Sequence, residues 1–225
     1  MTGLELKTLT TSLLGGYEMD DTLFYSLLNV HKAIREGMRD WMKLKKTDTS
    51  LTASTSDTYL TVKAMPTDFG RWQKDRPIVL YETGTNNFLV YTEIPLSEKF
   101  AYQSESERFY CDYSTLNVYL TGTRDRNYTI ASNYLKKSAT LASGVSWVFG
   151  DLDAILAYDV ASDYRVGIDY DDINARNAQQ NMIVAQQLYK AMEMEDASLQ
   201  VSSLRGVDRF GPGSRRLNGA RININ

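Results

Sequence analysis

Residues 20–46 read DDTLFYSLLNVHKAIREGMRDWMKLKK, and residues 47–53, which follow directly, read TDTSLTA. In the first stretch apolar side chains recur at spacings of three and four, which predicts an amphipathic helix capped by Asp20 or Asp21 and ending near Leu44. Its predicted apolar stripe consists of Leu23, Phe24, Leu27, Leu28, Val30, Ile34, Met38, Trp41 and Met42. In the second stretch the period changes to a short Thr-rich run, which is typical of a β-strand. The chain therefore changes from helix to sheet near residue 46.

Seven strands are predicted in the middle of the chain. Short runs rich in Thr, Val and Tyr are separated by turn residues and by a charged hairpin tip at residues 122–127. The runs are residues 47–53, 59–63, 78–82, 88–92, 108–113, 116–120 and 128–135. Strands of this length, joined by short turns, predict a small antiparallel sandwich or barrel.

Helical spacing is also found at both ends of the chain. It predicts helices at residues 3–14, 151–167 and 171–197. The stripe of the longest helix consists of Ala178, Met182, Ala185, Tyr189 and Met192. Since the N-terminal and C-terminal helices have no other apolar partner, we expect them to pack on each other, with the strands inserted between them.

The predicted fold class is therefore α+β with three parts. Residues 1–46 and 148–200 are expected to form a helical bundle. Residues 47–147 are expected to form an inserted antiparallel β-domain, a sandwich or a barrel-like sheet. Residues 201–225 are expected to form an extended C-terminal arm, because few apolar residues and several glycines leave this segment without a core of its own.

Charge is distributed unevenly along the chain. The net charge is −3, but residues 201–225 carry +4, so the preceding 200 residues carry −7. Residues 151–172 alone contain seven aspartates against one arginine. Such asymmetry indicates that the acidic body and the basic C-terminal segment have different partners.

The basic C-terminal segment has three interpretations. Its arginines could bind nucleic-acid phosphates, or they could pair with the carboxylates of an acidic protein. The absence of lysine and the acidic body make a protein-binding arm at least as good an interpretation as nucleic-acid binding, and an unstructured solubilising tail is the third. The candidate contact residues are Arg205, Arg209, Phe210, Arg215, Arg216, Leu217 and Arg221.

Few residues of the sequence suit catalysis. It has one histidine, His31, and one cysteine, Cys111, so both Ser/His/Asp and Cys/His sites would require His31. A calcium loop starting at Asp169 would need an oxygen ligand and a glycine where the sequence has Ile173 and Asn174. We therefore predict no enzymatic activity, no cofactor and no metal. A hydrolase that uses an unrecognised carboxylate pair remains an alternative.

The sequence also has no export or membrane signal. No segment approaches the roughly 18 consecutive apolar residues of a membrane helix, and residues 1–16 lack the pattern of a secretion signal. A single cysteine fits assembly in a reducing cytoplasm.

Several segments resemble, in their order, the adaptor or head–tail connector proteins of tailed bacteriophages. They are an amphipathic helix that ends at a tryptophan (residues 33–41), a Thr-rich strand pair, a proline-aspartate-aromatic turn (65–69), central strands (128–130 and 133–135), Trp147-Val148-Phe149, and the helix at 152–160. The resemblance covers about residues 20 to 200 and is one of pattern and order. The large strand insertion is a departure, because not all adaptors have one.

This resemblance implies a structural virion protein at the neck, assembled in the host cytoplasm. The expected partners are further copies of the chain in a ring, typically of twelve subunits, the portal protein, and a downstream neck or tail protein. Genomic DNA would pass through the ring without sequence-specific contact, past an acidic surface, and no membrane is involved. The arm at residues 201–225 would dock on the portal. The alternatives are another neck or tail ring protein, a stopper or tail completion protein, and a nucleic-acid-binding module that uses the Arg-rich tail.

Overall fold

A computed structural model describes residues 1–82, 84–85, 87–168 and 172–207. Over these residues the protein has four α-helices and one nearly closed, barrel-like sheet, which confirms that it is α+β. The helices are α1 (Gly3–Leu13), α2 (Asp21–Gly37), α3 (Ala154–Ile168) and α4 (Asp172–Val207). The strands are β1 (Lys45–Ala53), β2 (Val62–Ala64), β3 (Phe69–Trp72), β4 (Ile78–Glu82), β5 (Phe88–Glu93), β6 (Arg108–Asp112), β7 (Asn117–Leu120) and β8 (Tyr128–Lys136).

Both N-terminal helices begin at the caps that their sequences provide. Thr2 and Glu5 form a reciprocal capping box at the start of α1. The Asp20 carboxylate accepts hydrogen bonds from the backbone N–H groups of Thr22 and Leu23, at 2.9 and 3.2 Å, at the start of α2. No described helix is both long enough and apolar enough to cross a bilayer.

The end of α2 differs from the prediction, because the helix ends at Gly37 rather than near Leu44. The chain then turns so that the fully buried Trp41 donates its indole N–H to the carbonyl oxygen of Arg35 at 2.9 Å, within the last helical turn. The carboxylate of Asp196, on α4, accepts from the backbone N–H of Met42 at 2.5 Å and so caps a following 3₁₀ turn. Contacts with distant residues therefore end the helix before its sequence pattern does.

The sheet has the order β1-β8-β4-β5-β6-β7-β2. All neighbouring strands are antiparallel except β5 and β6, which are parallel. β3 and β4 pair with successive parts of the same edge of β8, while β1 occupies the other edge. Each of the seven predicted strands has a counterpart, and β3 is an additional strand that was not predicted. The interior is filled by aromatic and aliphatic side chains, among them Phe109 and Ile130, both fully buried.

The helices pack around a second core. Segments that precede the sheet in the sequence and segments that follow it both contribute to this core. Phe24 and Leu28 of α2 pack there with Ile155 and Val160 of α3, and α3 contacts α1, α2 and α4. Leu141, Trp147 and Phe149, which follow β8, belong to the same core. The helical core therefore includes residues that precede the predicted boundary at residue 148. Along β8, Tyr134 faces the sheet core and Leu135 faces the helical core, which joins the two.

Helix α4 is longer than predicted, and four of the five residues of its predicted stripe face inward: Ala178, Ala185 and Met192 are buried, and Tyr189 packs against the helical core. It continues to Val207, so it includes residues 201–207, which the sequence analysis assigned to the arm. Its buried side includes Asn181 and Asp196, whereas Met182, predicted to lie in the buried stripe, is 52% exposed. The assignment of Met182 was therefore wrong, because a polar side chain occupies the inward position next to it.

Candidate interaction surfaces

Three charged side chains of α2, those of Lys32, Arg35 and Glu36, point toward the interior of the protein. Lys32 is buried, and its Nζ donates to the carbonyl oxygen of Ser138 at 3.2 Å. Glu36 accepts from the indole N–H of Trp147 at 2.7 Å and from the hydroxyl of Ser138. The Lys32 and Glu36 side chains lie 3.8 Å apart, and burial lowers the pKa of Lys32. This polar cluster fixes the segment after β8 against α2.

Arg35 forms the main ion pair between α2 and α3. Its guanidinium makes a two-point contact with the Asp159 carboxylate, at 2.8 and 2.6 Å, and both side chains are nearly buried. The guanidinium also lies over the ring of Tyr189 on α4, with Cζ 5.3 Å from the ring centroid. One arginine therefore connects three helices.

The opposite side of α2 is exposed and uncharged. Among residues 22–38, all of which the structure describes, the exposed ones are Thr22, Leu23, Ser26, Val30, Ala33, Ile34, Gly37 and Met38. We call these eight residues the outer face of α2. Its four large apolar side chains are between 44% and 52% exposed. Monomeric surfaces normally carry their charges outward. In α2, Lys32, Arg35 and Glu36 instead lie inward beside the buried Phe24 and Leu28, and we call this arrangement the reversed polarity of α2.

The spacing on this outer face is that of a coiled-coil seam. Leu23, the half-buried Leu27, Val30 and Ile34 follow each other at steps of four, three and four residues. Such a heptad stripe fits a second helix laid alongside. The sequence analysis placed these residues in one stripe with Phe24 and Leu28, and that interpretation was wrong for the exposed members.

A second exposed helical surface lies on α4, between the exposed Arg176 and Lys190. In the described stretch 177–189, the exposed residues are Gln179, Gln180, Met182, Ile183, Gln186 and Gln187. We call these six residues the outer face of α4. Met182 and Ile183 are both more than half exposed. Depletion of charge and enrichment of methionine are typical of the central part of protein interfaces.

A shallow groove adjoins the outer face of α2. It has a volume of about 780 Å³ and lies between α2 and residues 140–143. Asn29 fixes its far wall, because its side chain both donates to the carbonyl oxygen of Leu141 and accepts from the Leu141 N–H, at 3.0 and 2.8 Å. Val30 and Ala33 belong to both the groove and the outer face, so the two form one continuous surface.

The predicted arm residues lie mostly outside the described part of the chain. Arg209, Phe210, Arg215, Arg216, Leu217 and Arg221 are among residues 208–225, which the structure does not describe. The backbone of Arg205 lies in the last turns of α4. Their role in binding a partner stays a prediction.

The aspartate-rich segment is partly used inside the protein. Asp159 pairs with Arg35, and the Asp163 carboxylate lies 2.9 Å from Nε2 of His31. Asp153 is fully buried against the N-terminal amine, at 2.8 Å, and burial raises its pKa. Asp169 and Asp171 lie outside the described residues. Asp153 and Asp159 are therefore largely withdrawn from the protein surface, whereas the Asp163 side chain stays 64% exposed.

Cys111 and His31, the two residues considered for catalysis, both make contacts within the fold. Cys111 is buried in the sheet core, where burial raises its pKa to about 12 and the indole N–H of Trp72 donates to its sulfur at 3.2 Å. His31 faces Asp163 across the α2–α3 contact. Within the described residues, no three His, Cys, Asp or Glu side chains are arranged to hold a metal ion.

The outer face of α2 could have been detected in the sequence by its width. Phe24 and Leu28 form one stripe, and Leu23, Val30 and Ile34 form another about a quarter turn or more away. Together they cover more of the helix than one core contact requires.

Comparison with models of known protein families and with curated proteins finds no match to this chain.

Proposed function

We propose that the protein is a structural subunit of a tailed-phage virion, of the adaptor or head–tail connector type. In this proposal, copies of the chain form a ring that joins the portal to a downstream neck or tail protein and continues the DNA channel. The observation that carries the proposal is the reversed polarity of α2, which keeps Lys32, Arg35 and Glu36 inside and presents four large apolar side chains, Leu23, Val30, Ile34 and Met38, outside. Exposed apolar surface of this kind is typical of a subunit whose partners cover it.

We also propose a division of the chain into two structural roles. The four helices would form one bundle that serves as the wall of the ring, and the barrel-like sheet would be an insertion that reaches a neighbouring protein. Support comes from the shared helical core, to which residues on both sides of the sheet contribute. The exposed rings of Tyr81, Phe88 and Phe100 on the sheet domain give it apolar surface for such a contact.

The C-terminal segment would act as the portal-binding arm. Residues 208–225, which follow the described part of α4, carry four arginines and one aspartate. Guanidinium groups pair with carboxylates at two points, which favours an acidic groove on the portal. Coupling of folding to binding would supply the order that this segment cannot generate alone.

The test is binding to the portal ring of the same virus, followed by negative-stain imaging and sedimentation. The full chain should bind, and a chain that ends at Val207 should not, while both unfold at the same denaturant concentration. A matched variant, in which Arg209, Arg215, Arg216 and Arg221 are all replaced by Lys, keeps the charge and loses two-point pairing, so its binding should be intermediate.

Two outcomes would contradict the proposal. The first is undiminished portal binding by the chain that ends at Val207, which would refute the portal-binding role of residues 208–225. The second outcome is that the full chain does not bind the portal but binds duplex DNA, with an affinity that falls steeply with salt and with a requirement for residues 208–225. In that case the protein is a nucleic-acid-binding module.

A further inference from the structure

We infer that residues 214–225 lie along the outer face of α2 of the same chain before assembly, and that they leave this face when they bind the portal. Release on portal binding rests on the proposed function, whereas the contact with α2 does not. Three features of the chain favour this occupant: where α4 leads, where the sequence after it can turn back, and which side chains the segment carries.

Helix α4 brings the chain to the C-terminal end of the outer face of α2. Gln200 of α4 lines a cleft together with Gly37 and Met38, the last two residues of that face. From Gln200 the helix continues to Val207, about 10 Å further at 1.5 Å per residue. The residues after Val207 therefore start near one end of the outer face.

The sequence after α4 contains a turn signal and enough residues to span the outer face. Gly211-Pro212-Gly213 is a turn signal, and it follows the described end of α4 closely. Residues 214–225 reach about 40 Å when extended, at about 3.3 Å per residue. The outer face from Leu23 to Met38 is about 22 Å long, at 1.5 Å per residue of helix. A chain that reverses at residues 211–213 can therefore run back along the whole face.

Residues 214–225 carry apolar side chains that suit the outer face. Leu217, Ile222 and Ile224 can contact the large exposed apolar side chains there. Ile222 and Ile224 are two residues apart, so in an extended chain both point to the same side. Contact with α2 would remove apolar surface of both partners from water, which is favourable.

Exposed carboxylates border the outer face and complement the charge of the segment. Residues 214–225 contain three arginines and no acidic residue. At the N-terminal end of α2, Glu18, Asp20 and Asp21 are exposed, and Lys7 pairs with Asp21. Next to α2 on α3, the Asp163 side chain is 64% exposed. Guanidinium groups form two-point pairs with carboxylates of this kind.

The cations of residues 21–39 do not oppose this contact. Lys32, Arg35 and Arg39 each lie within ion-pair distance of carboxylates of the chain. Their charge is therefore balanced inside the fold, and the arginines of residues 214–225 meet no unpaired lysine or arginine of α2.

The contact would regulate when the outer face of α2 becomes available. Apolar surface that is covered before assembly is protected from unspecific association. Few side chains make the contact, so it is reversible and adds little to the free energy of unfolding. The same arginines cannot pair with α2 and with the portal at once. Portal binding would therefore uncover the outer face for a neighbour in the ring.

Cysteine cross-linking within one chain tests the contact. The double variant Ile34→Cys with Leu217→Cys is oxidised at low protein concentration, and the linked peptides and the mass of the product are determined by mass spectrometry. Cys111 does not compete, because it is buried and its pKa is raised to about 12. The matched control is Leu96→Cys with Leu217→Cys, since Leu96 is a similarly exposed apolar side chain on the sheet domain.

The expected product is an intrachain 34–217 disulfide that forms at least about 10-fold faster than the 96–217 disulfide, because the contact raises the local concentration of the two thiols. Equal rates for the two variants would refute the contact. A 34–217 disulfide between two chains would place the segment on a neighbouring copy, and a 34–34 disulfide would assign the face to a second α2. Either of these products overturns the inference.

Portal binding by the same variant tests the release and separates it from the proposed function. The chain locked by the 34–217 disulfide should bind the portal ring at least about 10-fold more weakly than after reduction. Equal binding before and after reduction would overturn the release. If the 34–217 disulfide forms but the unmodified chain does not bind the portal, the contact with α2 stands and the adaptor role is contradicted.

Discussion

The barrel-like sheet and α2 both hold charged side chains inward, but they differ in how they expose their apolar side chains. In the sheet domain, Arg124 is buried and donates to backbone carbonyl oxygens, and the Asp57–Lys63 ion pair is nearly buried. In α2, Lys32 and the Arg35–Asp159 pair lie inward in the same way. The large exposed apolar side chains of α2 lie along one helix, whereas those of the sheet domain lie on separate turns and strands.

The largest effect is expected from breaking the ion pair between Arg35 of α2 and Asp159 of α3. Asp159→Ala would leave the nearly buried Arg35 guanidinium without its carboxylate, and we expect the free energy of unfolding to fall by about 3–5 kcal/mol. Chemical denaturation of both proteins measures the loss. The double variant Arg35→Met with Asp159→Ala should recover part of it, and a loss below about 1 kcal/mol would show that the pair does not hold the helix.

A smaller effect is expected at the end of α2. Trp41→Phe removes the indole N–H that the carbonyl oxygen of Arg35 accepts, so we expect a loss of about 1–3 kcal/mol in unfolding free energy. Amide hydrogen exchange would locate the change, with protection reduced in the last turn of α2 and kept in the sheet. Uniform loss of protection in both regions would argue against a local capping role.

The smallest effect is expected in the sheet, as a change in thermal stability at acidic pH. Hydrogen bonds from Asn87, Arg126 and Thr85 hold the pKa of Glu82 at about 2, below its usual value of 4.5. Because the folded pKa is the lower one, the stabilisation is present above pH 4.5 and is lost as the pH falls toward 2. Glu82→Gln should therefore flatten the decline of thermal stability between those values. A variant with the wild-type acid dependence would contradict this assignment.

The strands were more predictable than the faces of the helices because Thr-, Val- and Tyr-rich runs between turn residues indicate a strand whichever side of it is buried. Ile78–Glu82, for example, has the same bounds in the pattern and in the structure. β3 was missed because it is short and contains Gly70, which weakens a strand pattern. That glycine is required, since a Cβ there would lie 2.6 Å from the carbonyl oxygen of Leu135. The strand depends on a close approach that local sequence does not reveal.

Helical periodicity identifies apolar stripes but not what they face. Phe24 and Ile34 have equal apolar character, and one is buried while the other is half exposed. Met42, just past the early end of α2, donates its backbone N–H to Asp196, 154 residues away in sequence. Met182 lies outward because the neighbouring Asn181 occupies the inward position. Pairings between distant residues decide these points, and a single sequence does not contain them.

The most direct test of the reversed polarity of α2 compares two truncations on the same helix. Under conditions in which the chain is monomeric, unfolding free energies are measured for Leu28→Ala and Ile34→Ala. Leu28 is fully buried, so its loss should cost about 2–5 kcal/mol, whereas loss of the half-exposed Ile34 should cost less than about 1 kcal/mol. Equal losses would place both stripes in the core and contradict the outward apolar face on which the assembly proposal rests.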